Sequence, residues 1–533
     1  MQTGVILLTS SPEQIKPLSA RLQSKGIPVL DCTPEEVEDE AEAITDFIVE
    51  NELEAVVVSN TSQVPTPASL RHSIEERGLS RNAVGWVDHI IQAQLLNDDL
   101  TAVTLAVVAN LARLRHADHA RDVVFRTVAG SAKISRRNLF RSIPRVLRVE
   151  ADIPIVLLNR CANRSKTCKY CAVACPVNAI SEAANGVTIN DRLCTECGAC
   201  ARECPIGAIQ NPSLSDSQLL AMLNTLASEE VEPSQRVLLL TCPLGFERIL
   251  SEERQGKRLD SGTVPIEVPC VSSIGTVHRL WASYAGVTLV TVCPDSTCKK
   301  AVAIFPIYRQ EADSTNTPES SGGDIKAPVR HLSLKPKDSI INSVRNNITS
   351  STAAPYPPTL AEGHRREVTV DAIKKLGASG ELDAQLFSGN MLPFFDLNVE
   401  GAQCTFCESC QTDCPDHAIE FTNSGDAVTL MFNPSLCGGC LICATNCPKK
   451  AITISRLTDL SAIVKQRKMA KTKDEIAKCE NCGATLGSKR NLAALKKRLS
   501  EQRTADAALR ALSLCARCKQ EALIRPVAVR LKS

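Results

Sequence analysis

The sequence has no long apolar run, no export signature and almost no net charge. The longest apolar stretch, at 102–114, is interrupted by Asn110 and Arg113, so we expect no membrane-spanning segment. Residues 1–10 have neither a basic start nor a long apolar core, so we expect no signal peptide. Lys and Arg number 61 against 59 Asp and Glu, a net charge of +2. No overall field recruits nucleic acid or an anionic membrane, and binding must use local surfaces.

The loops that hold nucleotide cofactors are also missing. Neither a G-x-G-x-x-G pattern nor a P-loop occurs anywhere in the chain, and metalloprotease and haem motifs are absent. These absences argue against flavin, nicotinamide or nucleoside-triphosphate chemistry of the usual kind. The sequence accordingly offers no candidate catalytic residue.

Cysteine is abundant, with 25 residues, and most of them fall in a repeated pattern. A six-residue repeat occurs as CPVNAI, CPIGAI, CPDHAI and CPKKAI, and each copy closes a run of cysteines. Three of the runs read C-x2-C-x2-C-x3-C-P without interruption. The four runs are Cys161/Cys168/Cys171/Cys175, Cys194/Cys197/Cys200/Cys204, Cys404/Cys407/Cys410/Cys414 and Cys437/Cys440/Cys443/Cys447.

This spacing is typical of ligands for 4Fe-4S clusters. Three thiolates face one cubane, and the fourth, followed by Pro, ligates the other cluster of a pair. A disulfide framework usually belongs to a short secreted chain, and zinc has no use for a third cysteine followed by C-P. The segments at 161–209 and 404–452 therefore each predict two clusters, with a strand before the second run at 186–190 and at 427–433. Both segments resemble bacterial-type two-cluster ferredoxins.

The fourth cysteines exchange between runs, so the predicted ligand sets cross over. The sets are Cys161, Cys168, Cys171 and Cys204; Cys194, Cys197, Cys200 and Cys175; Cys404, Cys407, Cys410 and Cys447; and Cys437, Cys440, Cys443 and Cys414. In the first run Cys161 lies seven residues before Cys168, and Ser165 occupies the usual ligand position. We predict that Cys161 is the ligand, on a longer loop.

The N-terminal region alternates apolar segments with helical ones. The apolar segments at 4–9, 27–31, 55–60 and 83–87 predict the strands of a Rossmann-like parallel sheet. Through LEAVVVSN, the following helix and a long helix at 98–115, this region resembles the N-terminal part of the A-type, flavin-containing component of heterodisulfide reductase. That family carries cluster cysteines here, whereas this chain has only Cys32, which we interpret as a small buried residue.

Four further cysteines follow three apolar segments between residues 235 and 305. Parallel strands would bring Cys242, Cys270, Cys293 and Cys298 to one sheet edge, facing helices that begin near Ser273 and Asp295. Through LLLTCP, VPC and VCPDSTC, the segment is similar to the delta subunit of methyl-viologen-reducing hydrogenase. That resemblance implies a 2Fe-2S centre on the four cysteines. Redox-inert buried thiols, or a Cys293/Cys298 dithiol, are the alternatives.

The C-terminal region contains two C-x2-C pairs after a basic stretch at 457–478 that we predict to be helical. The pairs, Cys479/Cys482 and Cys515/Cys518, predict a tetrahedral structural zinc site, although a rubredoxin-type iron would use the same thiolates. Residues 310–365 are rich in Ser, Thr, Pro, Asn and Gly and predict a flexible linker.

The sequence thus predicts a multidomain α/β plus α+β protein. Its parts are an α/β N-terminal domain (1–150), ferredoxin module 1 (151–212), a hydrogenase-delta-like α/β domain (213–310), a linker and connector (311–400), ferredoxin module 2 (401–456) and a helical, zinc-ribbon-like domain (457–533). Unpaired thiolates imply a reducing compartment, so we predict the cytoplasm.

The predicted cofactors carry single electrons, so the favoured function is an iron-sulfur electron-transfer subunit. It would link a hydrogenase-like or ferredoxin-like donor to a heterodisulfide-reductase-like partner, with no catalysis of its own. The alternatives are a thiol/disulfide reductase that uses Cys293 and Cys298, and an iron-sulfur/zinc regulatory protein that binds nucleic acid.

Overall fold

A computed structural model divides the chain into two compact units. The first comprises Met1–Arg164 and Lys169–Phe387, and the second comprises Ser165–Cys168 and Ser388–Ser533. The structure describes residues 2–9, 12–32, 41–60, 83–88, 96–116, 124–127, 148–228, 236–260, 262–295, 298, 329–347, 363–379, 392, 394–457, 460–465, 467–502 and 506–521.

The first unit begins with a parallel sheet. Its elements are β1 (Thr3–Leu8), α1 (Pro12–Ser24), β2 (Val29–Cys32), α2 (Ala41–Glu50), β3 (Ala55–Asn60), β4 (Val84–Asp88) and α3 (Leu96–Arg115). The strand order is β2-β1-β3-β4, and every neighbouring pair is parallel. All residues of β1 and β3 are buried, which explains their continuous apolar sequences. The predicted parallel sheet is confirmed, and Cys32 is buried at the end of β2.

Helix α3 belongs to the protein interior. It packs against β3, β4 and a later helix at Asp216–Ser228. The two polar residues that interrupt its apolar sequence are buried and bonded, with Asn110 donating to the Ala106 oxygen and Arg113 to the Ser213 oxygen. Within the described part of the chain, no helix combines the length and apolar character that a bilayer crossing requires.

Short antiparallel pairs build ferredoxin module 1 and the segment before it. The elements are β5 (Val124–Thr127), β6 (Arg148–Ala151), β7 (Ile155–Val156), a 3-10 helix (Ala162–Ser165), α4 (Tyr170–Ala174), β8 (Ile180–Ala183), β9 (Gly186–Ile189), α5 (Ala199–Glu203) and β10 (Ile209–Gln210). Strand β5 pairs with β6, β7 with β10 and β8 with β9. The strand predicted at 186–190 is β9.

A second parallel sheet follows in the first unit. Its elements are α6 (Asp216–Ser228), β11 (Val237–Thr241), α7 (Pro243–Arg254), β12 (Thr263–Glu267), a 3-10 helix (Val271–Ser273), α8 (Thr276–Tyr284), β13 (Thr288–Cys293), β14 (Val329–Ser333), α9 (Ile340–Asn347) and α10 (Arg365–Ser379). The order β12-β11-β13-β14 is parallel throughout, so the three predicted strands are confirmed. The helix predicted near Asp295 lies outside the described residues.

The flexible linker predicted at 310–365 is wrong where the structure describes β14 and α9, and α10 begins at its last residue, Arg365. Strand β14 completes the second sheet beside β13, and Ile340, Ile341 and Val344 of α9 enter the core of that sheet. Helix α10 packs against α8. The polar average of the segment concealed these short elements, because each contributes only a few apolar residues and gains its stability from packing. Residues 310–328 and 348–362 lie outside the described residues.

The second unit contains ferredoxin module 2 and the C-terminal region. Its elements are β15 (Phe395–Val399), α11 (Ser409–Thr412), β16 (Ile419–Ser424), β17 (Ala427–Phe432), α12 (Ile442–Thr445), β18 (Ile452–Arg456), α13 (Ser461–Val464), β19 (Met469–Lys478), β20 (Thr485–Ser488), α14 (Lys489–Glu501) and α15 (Asp506–Ala511). Strands β15 and β18 form an antiparallel pair, and β16-β17-β19-β20 form an antiparallel sheet. The strand predicted at 427–433 is β17.

The helix predicted at 457–478 is also wrong over most of its length. Among the described residues of this stretch only Ser461–Val464 is helical, and Met469–Lys478 forms β19, which pairs with β17. Basic residues of this stretch meet carboxylates, since Lys471 of β19 binds Asp396 of β15. The pairing of β19 with β17 and β20 overrides the local helix preference. The C-terminal region therefore continues the sheet of module 2.

Candidate metal centres

The six-residue repeat forms the same turn in all four copies. In each copy the Ala backbone N–H donates to the Sγ of the repeat's own cysteine, four residues earlier. These bonds are Ala179 to Cys175 at 3.2 Å, Ala208 to Cys204 at 3.2 Å, Ala418 to Cys414 at 3.3 Å and Ala451 to Cys447 at 3.3 Å. The residue before the Ala has positive φ in every copy, namely Asn178, Gly207, His417 and Lys450. The repeat thus encodes a turn that aims a donor at a sulfur, which favours the thiolate that a cluster needs.

In module 2 the last cysteine of the second run lies with the first run. Burial raises the pKa of Cys410 to about 12, and the nearby sulfurs of Cys404, Cys407 and Cys447 raise it further. The raised pKa means that a negative charge on this sulfur is unfavourable while no cation is near. A bound metal centre removes that penalty, because it neutralises the thiolates that bind it. Cys447 therefore stands where the exchange of ligands predicts it.

The complementary set in module 2 surrounds a pocket. Burial raises the pKa of Cys443, as do the neighbouring sulfurs of Cys437, Cys440 and Cys414. The same four cysteines line one cavity. A pocket with four converging sulfurs suits a cubane, which binds one thiolate at each iron.

Module 1 also brings cysteines of its two runs together. Cys161, Cys171 and Cys204 are buried in one core cluster, together with Cys200 of the other predicted set. Gly186 approaches Cys161 so closely that a Cβ there would lie 3.2 Å from the Cys161 Sγ. Cys161 thus lies among the predicted partners, which supports it as the ligand. Cys168 is half-buried and groups with the second unit.

The other set of module 1 also comes together. Burial raises the pKa of Cys200, and the sulfurs of Cys197, Cys194, Cys171 and Cys175 add to the effect. Cys175, the last cysteine of the first run, is therefore near the second run. That is the arrangement expected for exchanged fourth ligands.

The loop of the first run differs in its backbone from the other three. In the regular runs the residues on both sides of the second cysteine have positive φ; these are Glu196/Gly198, Phe406/Glu408 and Gly439/Leu441. In the first run Lys169, which follows Cys168, has φ −130°. The irregular spacing before Cys168 thus coincides with a different loop conformation.

The middle-domain cysteines gather at one edge of the second sheet, as predicted. Cys242 follows β11, Cys270 follows β12, and Cys293 is the last residue of β13. Burial raises the pKa of Cys293 to about 11, and the nearby sulfurs of Cys270, Cys242 and Cys298 contribute. A thiol for disulfide exchange needs a lowered pKa, so the raised pKa of Cys293 argues against the dithiol alternative.

The edge of the second sheet contacts a cluster loop of module 1. The Cys270 Sγ lies 3.2 Å from the Ser272 Oγ, and the Ser272 hydroxyl donates to the backbone oxygen of Cys197. Gly198 has φ 72°, and a Cβ there would lie 2.5 Å from the Cβ of Ser273. Only glycine permits this approach. No sequence pattern marks Ser272, because its role depends on a contact between distant segments.

The C-terminal cysteines form a compact set. The sulfurs of Cys479, Cys482, Cys515 and Cys518 all lie within 4.8 Å of one another. Zn–S bonds of about 2.3 Å in a tetrahedron place sulfurs about 3.8 Å apart, so the set suits one ion. The Cys515 backbone N–H donates to the Cys479 Sγ at 3.3 Å and lowers the pKa of Cys479 to about 6. The four residues therefore fit a mononuclear thiolate site.

Comparison with known families agrees with the ferredoxin modules. Residues 165–208 and 403–451 each match the 4Fe-4S dicluster domain family. The first match begins after Cys161 and so does not include it. These matches support an iron-sulfur electron-transfer protein that carries 4Fe-4S clusters in two dicluster domains.

Similar proteins include subunits of redox enzymes. Formate hydrogenlyase subunit 2 of Escherichia coli (strain K12) is 31% identical over 102 residues, which cover 18% of this chain and 46% of that protein. The B subunit of tetrathionate reductase from Archaeoglobus fulgidus is 45% identical over 58 residues, which cover 10% of this chain and 26% of that protein. The chain spans less than half the length of these relatives.

Proposed function

We propose that the chain is an iron-sulfur subunit that relays electrons from a hydrogenase-like or ferredoxin-like donor to a heterodisulfide-reductase-like partner complex. It would hold four 4Fe-4S clusters on the exchanged cysteine sets, a 2Fe-2S centre on the middle-domain cysteines and a structural zinc at the C-terminal set. The fold assignments are part of the proposal, with Rossmann-like first and second sheets and a zinc-ribbon-like C-terminal region. So are the predicted domain boundaries, with the second-sheet domain now extending to α9 and the C-terminal domain joined to module 2 through β19.

The contact between Cys270 and the Cys197 loop carries this proposal. Electron transfer slows steeply as the gap between two centres widens, so adjacent ligand loops define a route. The Ser272 hydroxyl lies between the Cys270 sulfur and the Cys197 oxygen. A 2Fe-2S centre at the sheet edge would thus neighbour the cluster of Cys194, Cys197, Cys200 and Cys175.

The relatives and the remaining surfaces point the same way. The two matching proteins are named as subunits of formate hydrogenlyase and tetrathionate reductase, so redox protein partners are part of the proposal. Nucleic-acid binding is less favoured, since Lys468 and Lys471 pair with Glu420 and Asp396. The raised pKa of Cys293, caused first by burial, disfavours the thiol/disulfide reductase.

Magnetic interaction between the centres tests the relay. The anaerobically reconstituted full chain should bind about 18 irons, and its reduced 2Fe-2S signal should be broadened by the adjacent cluster. Cys270→Ala should abolish the 2Fe-2S signal, whereas Cys197→Ala should keep it and remove the broadening. Cys440→Ala, the equivalent change in module 2, is the matched control and should leave the broadening intact.

Four outcomes count against the proposal. Fewer than about ten irons after full reconstitution contradicts the cluster assignment. Four titratable thiols in place of a 2Fe-2S signal remove the middle centre, and a reversible Cys293–Cys298 disulfide would favour the reductase. Salt-sensitive binding to DNA or RNA would favour the regulatory protein.

A further inference from the structure

A buried arginine from outside the ferredoxin module reaches the loop that ends in Cys204. Arg365 is the first residue of α10 and is 3% exposed. Its Nη1 donates to the backbone oxygens of Ala201 at 2.6 Å and Cys204 at 2.8 Å. A full positive charge is therefore bonded to a predicted ligand residue of module 1.

The charge has one anionic partner, on its other side. Arg365 donates to Asp216 through Nη2 at 2.6 Å and Nε at 2.8 Å. Burial alone would raise the pKa of Asp216, but the charge of Arg365 outweighs it and holds that pKa well below its usual range. The carboxylate also accepts from Gln210 at 3.0 Å, so Asp216 is an ionised, fully bonded partner.

The neighbouring histidine adds no charge. His278 Nδ1 accepts the Gly275 N–H at 3.1 Å, which leaves the Nε2 proton to face Asp216, also at 3.1 Å. Burial lowers the pKa of His278, and the charge of Arg365 lowers it further. Arg365 and Asp216 are therefore the two hydrogen-bonded charges of this network, with Arg279 and Glu203 close enough to act on it, and Arg365 bonds directly to the Cys204 loop.

Stability alone explains this pair weakly. Desolvation offsets much of the attraction in a buried ion pair, and apolar replacements of similar volume are often as stable. The position of the Arg365 charge beside the cluster loop is more informative than the stability of the ion pair. A fixed positive charge there stabilises a cluster after it gains an electron, because reduction makes the cluster and its thiolates more negative.

We propose that Arg365 is a positioning residue that raises the reduction potential of the cluster that Cys204 would ligate. Asp216 holds the guanidinium against the loop and partly offsets its charge. This inference rests on the proposed cluster assignment. It adds that one cluster of module 1 accepts electrons more readily because of a residue that lies 161 positions after Cys204.

A pair of variants with opposite expected shifts tests the inference. Arg365→Gln removes the charge, and Asp216→Asn removes the offsetting charge. Potentiometric titration of the reconstituted full chain, followed by EPR, measures both, and the signal is assigned by its absence in Cys171→Ala. At a fixed potential, Arg365→Gln should lower the reduced-to-oxidised ratio of this cluster roughly tenfold, the order expected for a nearby unit charge. Asp216→Asn should raise the ratio by a smaller factor, and Arg365→Lys should stay near the parent.

Iron content separates this inference from the proposed function. Variants that keep all their iron and show opposite shifts support the role of Arg365. Shifts in the same direction, or none, overturn it while leaving the clusters in place. If Arg365→Gln loses the cluster, Asp216→Asn decides: a positive shift supports the inference and an unchanged potential refutes it. A parent protein without the cluster would instead refute the proposed function.

Discussion

The two ferredoxin modules share a ligand pattern and a turn but differ in burial. In module 1 five of the predicted ligands are buried, namely Cys161, Cys171, Cys197, Cys200 and Cys204. In module 2 only Cys443 is buried, and Cys407 is exposed. The same sequence motif therefore produces an enclosed pair of sites in one place and an accessible pair in another. Enclosed clusters suit internal relay, whereas accessible ones suit exchange with a partner protein.

Removal of the C-terminal metal site should produce the largest difference in behaviour between the two modules. Cys515→Ala leaves three thiolates, and structural zinc contributes directly to folding, so we expect complete loss of bound zinc. Because β19 pairs with β17, proteolysis should then attack the C-terminal region and loosen module 2. Module 1 should keep its iron.

Zinc analysis and limited proteolysis measure this effect, with Cys32→Ala as the cysteine control. Cys32 is buried in the first sheet and belongs to none of the predicted ligand sets. A Cys515→Ala protein that retained zinc and protease resistance would refute a structural site.

The first ligand of module 1 should affect a single cluster. Cys161→Ala should remove about four irons, because it empties one corner of one cubane and leaves the other three clusters complete. Ser165→Ala, at the usual ligand position, is the control and should leave the iron content unchanged. If the Ser165 variant loses iron and the Cys161 variant does not, the longer-loop ligand is wrong.

Sequence reasoning succeeded where a spacing or a continuous run fixes the geometry. The C-x2-C-x2-C-x3-C-P spacing anticipates that Cys414 and Cys447 lie with the opposite runs, since a short loop can offer only three corners. The buried runs of β1 and β3 likewise have only one solution, a sheet covered on both faces.

Sequence reasoning failed where long-range contacts determine the local structure. Strand β14 has too few apolar residues to be recognised alone, and β19 is a strand because β17 is beside it. Ser272 and Arg365 belong to no pattern. Each contacts a cysteine loop that the fold brings close, so only the tertiary structure reveals it.

The difference in cysteine burial between the two modules should also change the rate at which each module loses iron. With an iron chelator under anaerobic conditions, about eight irons should leave in a fast phase from module 2 and about eight in a slower phase from module 1. Cys407→Ala should reduce the number of irons lost in the fast phase, whereas Cys171→Ala should reduce the number lost in the slow phase. A single phase, or assignment of the phases to the opposite modules, would remove the distinction between enclosed and accessible sites.

The smallest expected difference concerns a second arginine. Arg490 of α14 pairs with Asp474 at 3.2 Å and donates to the Gly401 oxygen, which places it near Cys404 in module 2. Burial raises the pKa of Cys404, and the charge of Arg490 opposes the shift only weakly. Its side chain is 40% exposed, against 2% for Arg365.

Water screens an exposed charge far more than a buried one. Arg490→Gln should therefore lower the potential of the cluster at Cys404 by clearly less than Arg365→Gln lowers that of the cluster at Cys204. EPR-monitored titration of both variants under identical salt compares the two shifts. Raising the salt concentration should shrink the Arg490 effect and leave the Arg365 effect nearly unchanged. Equal shifts with equal salt dependence would mean that burial does not distinguish the two arginines.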